Sequence, residues 1–194
     1  MANNNNRKGT QQLRIIGGEW RGRKLGFTPA PGLRPTLDRF RETLFNWLMF
    51  ETEGARCLDL FAGSGALGLE ALSRGAAHCT FVDTSASACR QIREHLQILG
   101  CDRADVVQGD GLNWLAQPAD RFDLVFLDPP FHQGLLEATL ERLLTGSYIN
   151  DQGYIYIEAE SDFRLSPLPD KWELARQKSA KHKVFFLIKK LPQD

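Results

Sequence analysis

Residues 57–72 read CLDLFAGSGALGLEAL. A short apolar run ends at Asp59, passes through a glycine-rich turn and continues as an apolar segment that is typical of a helix. Gly63 and Gly65 allow the backbone to turn sharply and to approach a ligand, and Gly68 allows the helix to pack closely on the strand. By itself the spacing G-x-G-x-x-G is weak evidence and also fits a dinucleotide site. The stretch therefore predicts a strand, a turn that faces a ligand, and a helix.

Strand-like and helix-like segments alternate along the rest of the chain. We predict strands at 57–60, 78–83, 104–108, 122–128 and 154–158, and helices at 36–50, 86–99, around Trp114 and at 133–145. Residues 172–176 and 184–188 are expected to close the sheet as an antiparallel pair. This alternation predicts an α/β fold with a doubly wound, Rossmann-like, mostly parallel sheet.

The N-terminal residues follow a different pattern. Apolar and basic residues alternate at 13–18 and 21–27 around a Gly-Gly-Glu-Trp turn, which predicts a β-hairpin with cationic side chains on one face. A proline-containing linker follows, and Thr36 is a suitable N-cap for the amphipathic helix. We therefore expect a hairpin extension at 1–35 and an α/β domain at 36–194.

Residues 122–131 read FDLVFLDPPF, an apolar strand that must leave the sheet at its two prolines. The Asp128 side chain and the Pro129 carbonyl are hydrogen-bond acceptors, and neither proline has a competing N–H. Together they can hold the two hydrogens of a planar exocyclic amine on guanine, adenine or cytosine. Phe131 offers a face on which the base can stack, worth roughly 1–3 kcal/mol. The alternative is a buried strand that ends in an ordinary proline turn.

Three other predicted strands also end in a carboxylate. Asp83 lies 24 residues after Asp59 and suits the two hydroxyls of a ribose, although it could instead cap the next helix. Asp110 could accept a hydrogen bond from an adenine amino group. Because ligands bind at the carboxyl ends of parallel strands, these acids and Asp128 would place a nucleoside cofactor next to an amine-activating site.

Composition limits the class of protein. With 194 residues, 42% of them hydrophobic and 25% charged, the chain has the length and composition of one globular domain with a small extension. No signal peptide or membrane-spanning run is evident. Four cysteines without CxxC spacing and four unclustered histidines indicate reduced thiols in a cytosolic protein without a structural metal.

A net charge of zero conceals a marked asymmetry. Residues 1–41 contain nine Lys/Arg and two Asp/Glu. Residues 42–170 contain eight Lys/Arg and twenty Asp/Glu, and residues 171–190 contain seven Lys/Arg and one Glu. Basic ends around an acidic centre suggest a bound polyanion beside a pocket for a neutral or cationic group, rather than a merely solvated basic surface. The predicted phosphate contacts are the cations of the hairpin and of the first helix: Arg14, Arg21, Arg23, Lys24, Arg34, Arg39 and Arg41.

Four stretches carry a resemblance that covers nearly the whole chain: RIIGGEWRGRK at 14–24, GLRPTLDRFRETLFNWL at 32–48, LDLFAGSGALGLEALSR at 58–74 and DPPF at 128–131. They resemble the class I S-adenosylmethionine-dependent methyltransferases that methylate amines. More narrowly, they are similar to the bacterial RsmD-type family of small-subunit ribosomal RNA guanine-N2 methyltransferases. The family often has Glu on the strand after the glycine loop, where this chain has Asp83.

The resemblance implies a catalytic methyltransferase domain at 36–194 that binds S-adenosylmethionine and methylates guanine N2 in 16S rRNA. It implies a catalytic turn of Asp128, Pro129, Pro130 and Phe131. The implied cofactor-binding residues are Asp59, Phe61, Ala62, Gly63, Gly65, Asp83, Asp110 and Gly111. The expected partner is 16S rRNA within a 30S subunit or assembly intermediate, and the protein is expected to be a cytoplasmic monomer with neither metal nor membrane contact.

Other functions remain open. Adenine-N6 or cytosine-N4 methylation of DNA or RNA would use the same amine-holding geometry. An NAD(P)-dependent oxidoreductase would use the glycine turn, but it would leave the DPPF stretch without a function and the chain lacks a Tyr-x-x-x-Lys constellation. A cofactor-free RNA-binding module would leave Asp83 and Asp110 unexplained.

Overall fold

The computed structural model describes residues 11–27, 38–117, 120–130 and 133–192. In these ranges the elements are, in chain order, β1 (Gln11–Arg14), β2 (Lys24–Phe27), α1 (Asp38–Trp47), β3 (Arg56–Leu60), α2 (Ala66–Ser73), β4 (His78–Asp83), α3 (Ala86–Leu99), β5 (Ala104–Gln108), α4 (Gly111–Leu115), β6 (Phe122–Leu127), α5 (Leu135–Thr145), β7 (Ile149–Glu160), β8 (Trp172–Ser179) and β9 (Lys183–Lys190).

Seven of the strands form one sheet in the order β5-β4-β3-β6-β7-β9-β8. Strands β3 to β7 pair in parallel, whereas β9 runs antiparallel to both β7 and β8. The predicted doubly wound sheet with a closing antiparallel pair is confirmed. The strand order reverses between β3 and β6, and in sheets of this kind ligands bind outside the carboxyl ends of the strands at that point.

The sheet is covered on both sides, because its central strands are apolar on both faces. We call one side the hairpin face: its core includes Phe81, Phe126 and Phe185, and α1, α2, α3 and the β1–β2 hairpin pack on it. The other side, the α5 face, is built on Val125 and Phe186 and is covered by α4 and α5. Side chains two residues apart on a strand share a face, so the side chain at each strand end can be assigned to one side of the sheet.

The predicted N-terminal hairpin is present, with β1 and β2 paired antiparallel. It is fixed to α2 by the buried carboxylate of Glu70, which accepts hydrogen bonds from the backbone N–H groups of Ile16 and Gly17, at 2.8 Å each. Ser73 accepts from the Trp20 N–H and donates to the Gly17 carbonyl. These contacts place the tip of the hairpin at the C-terminal end of α2, which is the end away from the glycine loop.

Element boundaries differ from the predictions at a few points. Helix α1 ends at Trp47 instead of residue 50, and the predicted cap Thr36 lies outside the described residues. Helix α5 begins at Leu135 because Gly134 adopts φ +65° at its N-cap. Strand β7 begins at Ile149, five residues early, because a bulge in its pairing with β6 lets the chain join the sheet sooner.

Within the described ranges, no helix combines the length and apolar character needed to cross a membrane. All four cysteines are free thiols, three of them buried. The part of the chain that the structure covers contains no group of three or more His, Cys, Asp or Glu side chains placed to hold a metal ion.

Candidate active site

The glycine loop joins β3 to α2 in a sharply turned conformation. Phe61 has φ +74°, a left-handed value that is unfavourable for a residue with a side chain, and Gly65 has the same value at the N-cap of α2. The loop is held in place because the N–H groups of Phe61 and Ala62 both donate to the carbonyl of Val82, at 3.0 Å. The strain at Phe61 lies at the sheet edge where the sequence predicts a ligand.

Asp83 links this loop to the end of β4. One carboxylate oxygen accepts from the Gly63 N–H and the other from the Ser85 N–H, each at 2.8 Å. The N-cap of α3 is Ser85, whose hydroxyl accepts from the Ala88 N–H, so Asp83 does not cap that helix. A carboxylate has about four lone-pair sites, and Asp83 is only partly buried, so it can still accept hydrogen bonds from hydroxyl groups.

Asp59 is almost completely buried beneath the loop, with 4% of its surface exposed, and it accepts from the Gly68 N–H at 2.9 Å. Burial raises the pKa of the Asp59 carboxyl to about 7. The Gly68 hydrogen bond opposes that shift, while the negative charges of Asp83 and Glu158 add to it. A cation placed beside Asp59 would favour its ionised form.

Asp110 follows β5 and caps α4, with one oxygen accepting from the Asn113 N–H at 2.9 Å. The side chain is partly exposed, and this bond engages one of its two oxygens. Gly111 lies close to the loop, because a Cβ added there would come within 3.2 Å of Leu60 and 3.3 Å of Phe61. The start of α4 therefore packs directly against the end of β3 and the glycine loop.

The acidic turn follows β6. Pro129 is buried and Pro130 is exposed, while the Asp128 side chain keeps 26% of its surface accessible. Phe131 and His132 lie outside the described residues. A cleft of about 760 Å³ between α5 and residues 161–169 borders both Pro129 and Pro130 on the α5 face. The turn thus lies beside an opening and is not sealed in the core.

The structure adds three residues to the turn that the sequence did not suggest. Lys183 at the start of β9 lies 3.9 Å from an Asp128 oxygen and 2.7 Å from Glu158, whose side chain is fully buried. The Tyr156 hydroxyl contacts Glu158 at 3.2 Å, and burial, followed by the charges of Glu158 and Asp128, raises the pKa of that hydroxyl. Alternation of Tyr156 and Glu158 at the end of β7 signals a shared face, but the approach of Lys183 depends on tertiary pairing.

The predicted RNA-contacting residues fall into three groups. Those exposed at the surface are Arg14, Arg21, Arg23, Lys24 and Arg39. Arg34 lies outside the described residues. Arg41 is fully buried, so the prediction that it contacts RNA is wrong.

Arg41 is buried because it falls within the apolar stripe of α1, between Phe40 and Leu44. Its guanidinium donates to the Arg14 carbonyl at 2.6 Å and to Asp38 at 2.7 Å, and it lies 4.0 Å from Glu70. Arg41 therefore joins α1 to the hairpin. Its position one residue after Phe40 and three before Leu44 was a signal that could have identified it as internal.

The three acids near the glycine loop fit S-adenosylmethionine by the chemistry of their donors and acceptors. The cofactor presents an ammonium group, two ribose hydroxyls and an adenine amine, all of which donate hydrogen bonds. Asp59, Asp83 and Asp110 lie at the carboxyl ends of three neighbouring strands and present acceptors. The residues present therefore fit this cofactor.

Comparison with known proteins identifies the family of this chain. The family model described as conserved hypothetical protein 95 matches residues 13–189. The ribosomal RNA small subunit methyltransferase D of Escherichia coli is 46% identical over 97% of this chain and 95% of its own, and that of Haemophilus influenzae is 45% identical over 87% and 89%. The solved structure of yhhF from Escherichia coli has a TM-score of 0.85 and 46% identity, covering 94% of this chain and all of that one. The chain therefore belongs to the conserved hypothetical protein 95 family, together with these ribosomal RNA small subunit methyltransferases D.

Proposed function

We propose that this protein transfers a methyl group from S-adenosylmethionine to the exocyclic N2 amine of a guanine in 16S rRNA. The observation that carries the proposal is the Asp128–Pro129 turn at the end of β6, beside the strand-order reversal and the acid-lined glycine loop. The names of these two relatives support a small-subunit ribosomal RNA substrate.

We assign the cofactor to the edge formed by β3, β4 and β5. Asp83 would accept hydrogen bonds from the ribose hydroxyls, Asp110 from the adenine amine and Asp59 from the α-ammonium group. The backbone at Phe61, Ala62, Gly63, Gly65 and Gly111 would approach the cofactor closely. When bound, the cofactor supplies a methyl group that is electrophilic because the sulfur carries a positive charge.

The target amine would be held by the Asp128 carboxylate and the Pro129 carbonyl, which accept its two hydrogens. These two hydrogen bonds would take the nitrogen lone pair out of conjugation with the ring and direct it at an electrophile. Phe131 would stack on the base. A stacked base cannot bring its amine to this turn, so the guanine must be unpaired or flipped out. Positioning of this kind can contribute about 7–11 kcal/mol to lowering the barrier. As nitrogen gains the methyl group it releases one proton, either to Asp128 or to water.

The exposed cations Arg14, Arg21, Arg23, Lys24 and Arg39 would contact the RNA backbone, and so would Arg34. Phosphate contacts of this kind make affinity depend on salt. We further propose that the substrate is the rRNA within a 30S subunit or assembly intermediate, and that the protein acts as a cytoplasmic monomer.

The second candidate is methylation of adenine N6 or cytosine N4, because the same two acceptors can hold either amine. The names of the relatives, which specify ribosomal RNA, favour the first candidate over a DNA substrate. The base itself is decided by identifying the methylated nucleoside.

The test of the turn is Asp128→Ala, with the exposed Asp162→Ala at the same sheet edge as a matched control. Methyl transfer from labelled S-adenosylmethionine to rRNA from cells that lack the protein should fall about 10²–10⁴-fold. Cofactor affinity, measured by calorimetry, should stay within about twofold because Asp128 is not one of the three cofactor acids. Near-normal turnover of Asp128→Ala would refute the assigned role.

A further inference from the structure

We infer that Arg39, Arg176 and Lys178 form a track for the RNA backbone that leads to Asp128, so that the basic C-terminal segment and the first helix bind one strand of RNA together. The inference rests on the proposed function and names RNA contacts beyond the N-terminal hairpin.

The track begins where β8 meets α1. The Lys178 ammonium donates to the Thr43 hydroxyl at 3.1 Å, and that hydroxyl donates to the Arg39 carbonyl at 2.9 Å. The Arg39 guanidinium lies 4.8 Å from the centre of the Phe40 ring. Cations that are more than 130 residues apart in the sequence therefore lie on one surface.

This surface adjoins the acidic turn. Phe40 stacks on Phe185 with ring centres 4.7 Å apart, and Phe185 pairs with Lys178 on one side and with Glu158 on the other. Lys183, which approaches Asp128, is two residues before Phe185. Lys178 lies on the strand next to that of Lys183 and is displaced by two residues along it. This geometry places the Cα of Lys178 roughly 8 Å from that of Lys183.

The side chains also point to the same face. Arg176 pairs with Leu187, and Leu187 and Phe185 both belong to the core of the hairpin face. Directly opposed residues in a sheet share a face, so Arg176 and Lys178 project to that side. Asp128 follows Phe126 by two residues, and Phe126 belongs to the same core, so the carboxylate is expected on that side as well.

The charges of these three cations are available to an anionic ligand. Arg39, Arg176 and Lys178 are exposed, and no carboxylate in the described part of the chain lies within 4.0 Å of any of them. Lys190, in contrast, is paired with Asp151 at 3.0 Å. Unpaired cations in a row are suited to phosphates, which bring negative charge without requiring an ion pair to break.

The opposite side of the turn is unsuited to RNA. The cleft on the α5 face is bordered by the exposed carboxylates Glu137, Glu141 and Asp162, and among the described residues of its lining Arg164 is the one basic residue. Like charge would repel a phosphate there. The hairpin cations Arg21 and Arg23 lie farther away, because Arg23 donates to the carbonyl of Ile98 in the last turn of α3.

The test uses the full chain with Lys178→Glu and Arg176→Glu, singly and together, and Arg121→Glu as the control, since Arg121 is exposed at the start of β6 on the other sheet edge. Each track substitution should raise the KM for rRNA about three- to tenfold and lower the salt slope by about one per lost phosphate contact. kcat at saturating RNA, cofactor affinity and thermal stability should be unchanged, and Lys178→Arg should retain the wild-type KM.

If the track variants have the KM and salt slope of the wild type, the proposed track is refuted, and these cations would serve another partner. An equal rise in KM for Arg121→Glu would also overturn it, because the effect would then come from net charge alone. If the wild-type protein methylates no RNA while binding the cofactor, the proposed function fails, and that result is distinct from a loss confined to the track variants.

Discussion

The elevated pKa of Asp59 makes a quantitative prediction about cofactor binding. In the free protein the carboxyl has a pKa of about 7, mainly because it is buried. If the cofactor's ammonium group pairs with Asp59, binding requires the ionised carboxylate, so binding below pH 7 must release a proton. Affinity should then fall by up to tenfold, about 1.4 kcal/mol, for each pH unit below 7.

Between pH 7.5 and 5.5 the ionised fraction of Asp59 falls from about three quarters to about 3%, which lowers the affinity about 25-fold. Asp59→Asn should bind S-adenosylmethionine more weakly than the wild type at pH 7.5 and should show little change down to pH 5.5. This substitution is not expected to unfold the loop, because the amide oxygen that it introduces can still accept from the Gly68 N–H.

The same group contributes to the pH dependence of stability without cofactor. The pKa of Asp59 is raised in the folded state, so its contribution to stability is present below pH 4, the unfolded value, and is lost as pH rises through 7. Asp59→Asn should therefore gain stability relative to the wild type between pH 4 and 8. Urea unfolding at several pH values measures this difference.

Calorimetry in two buffers with different ionisation enthalpies measures affinity and proton release together. Asp162→Asn, an exposed carboxylate at the same edge, is the control. A wild-type affinity that stays flat between pH 5.5 and 7.5, without proton release, would refute the pairing of Asp59 with the ammonium group. So would an Asp59→Asn variant that keeps the wild-type pH dependence.

Two further predictions concern packing. Gly68→Ala should lower the free energy of unfolding by about 1–3 kcal/mol, because the added Cβ would lie 2.3 Å from the Phe81 ring. The control is Gly109→Ala, whose added Cβ would have no atom within 4 Å. Equal urea midpoints for the two variants would show that Gly68 is not needed for close packing. Glu70→Gln should lower the free energy of unfolding by about 1–3 kcal/mol and speed hydrogen exchange in the hairpin, because one part-buried backbone N–H loses its acceptor. The exposed Glu19→Gln should have little effect, and unchanged exchange in Glu70→Gln would show that the hairpin is held by other contacts.

Much of the architecture could be predicted because it depends on local pattern. Buried parallel strands are continuous apolar runs, and each is followed by a helix with its own period, so 78–83 and 86–99 were predicted at the bounds that the structure has. Gly68 was assigned to close helix packing, and a Cβ there would indeed meet Phe81 and Cys79. The acids at the strand ends follow from the same logic, since a parallel sheet brings its carboxyl ends to one edge.

The residues that could not be assigned depend on contacts between distant segments. Arg41 was predicted to be a surface cation because charge alone was counted, whereas Glu70 and the Arg14 carbonyl bind it in the interior. Lys183 reaches Asp128 only because β9 inserts antiparallel between β7 and β8. No local pattern specifies that insertion. The contact between Lys178 and α1 also depends on it.

Identification of the methylated nucleoside is the sharpest test of the proposed reaction. Small-subunit rRNA from cells that lack the protein is incubated with the purified chain and S-adenosylmethionine, digested to nucleosides and analysed by mass spectrometry. We expect one new methylated nucleoside, N2-methylguanosine, which is absent when Asp128→Ala replaces the wild type. If N6-methyladenosine or N4-methylcytidine appears in its place, or if no new methylated nucleoside appears, the proposed methylation of guanine N2 is refuted.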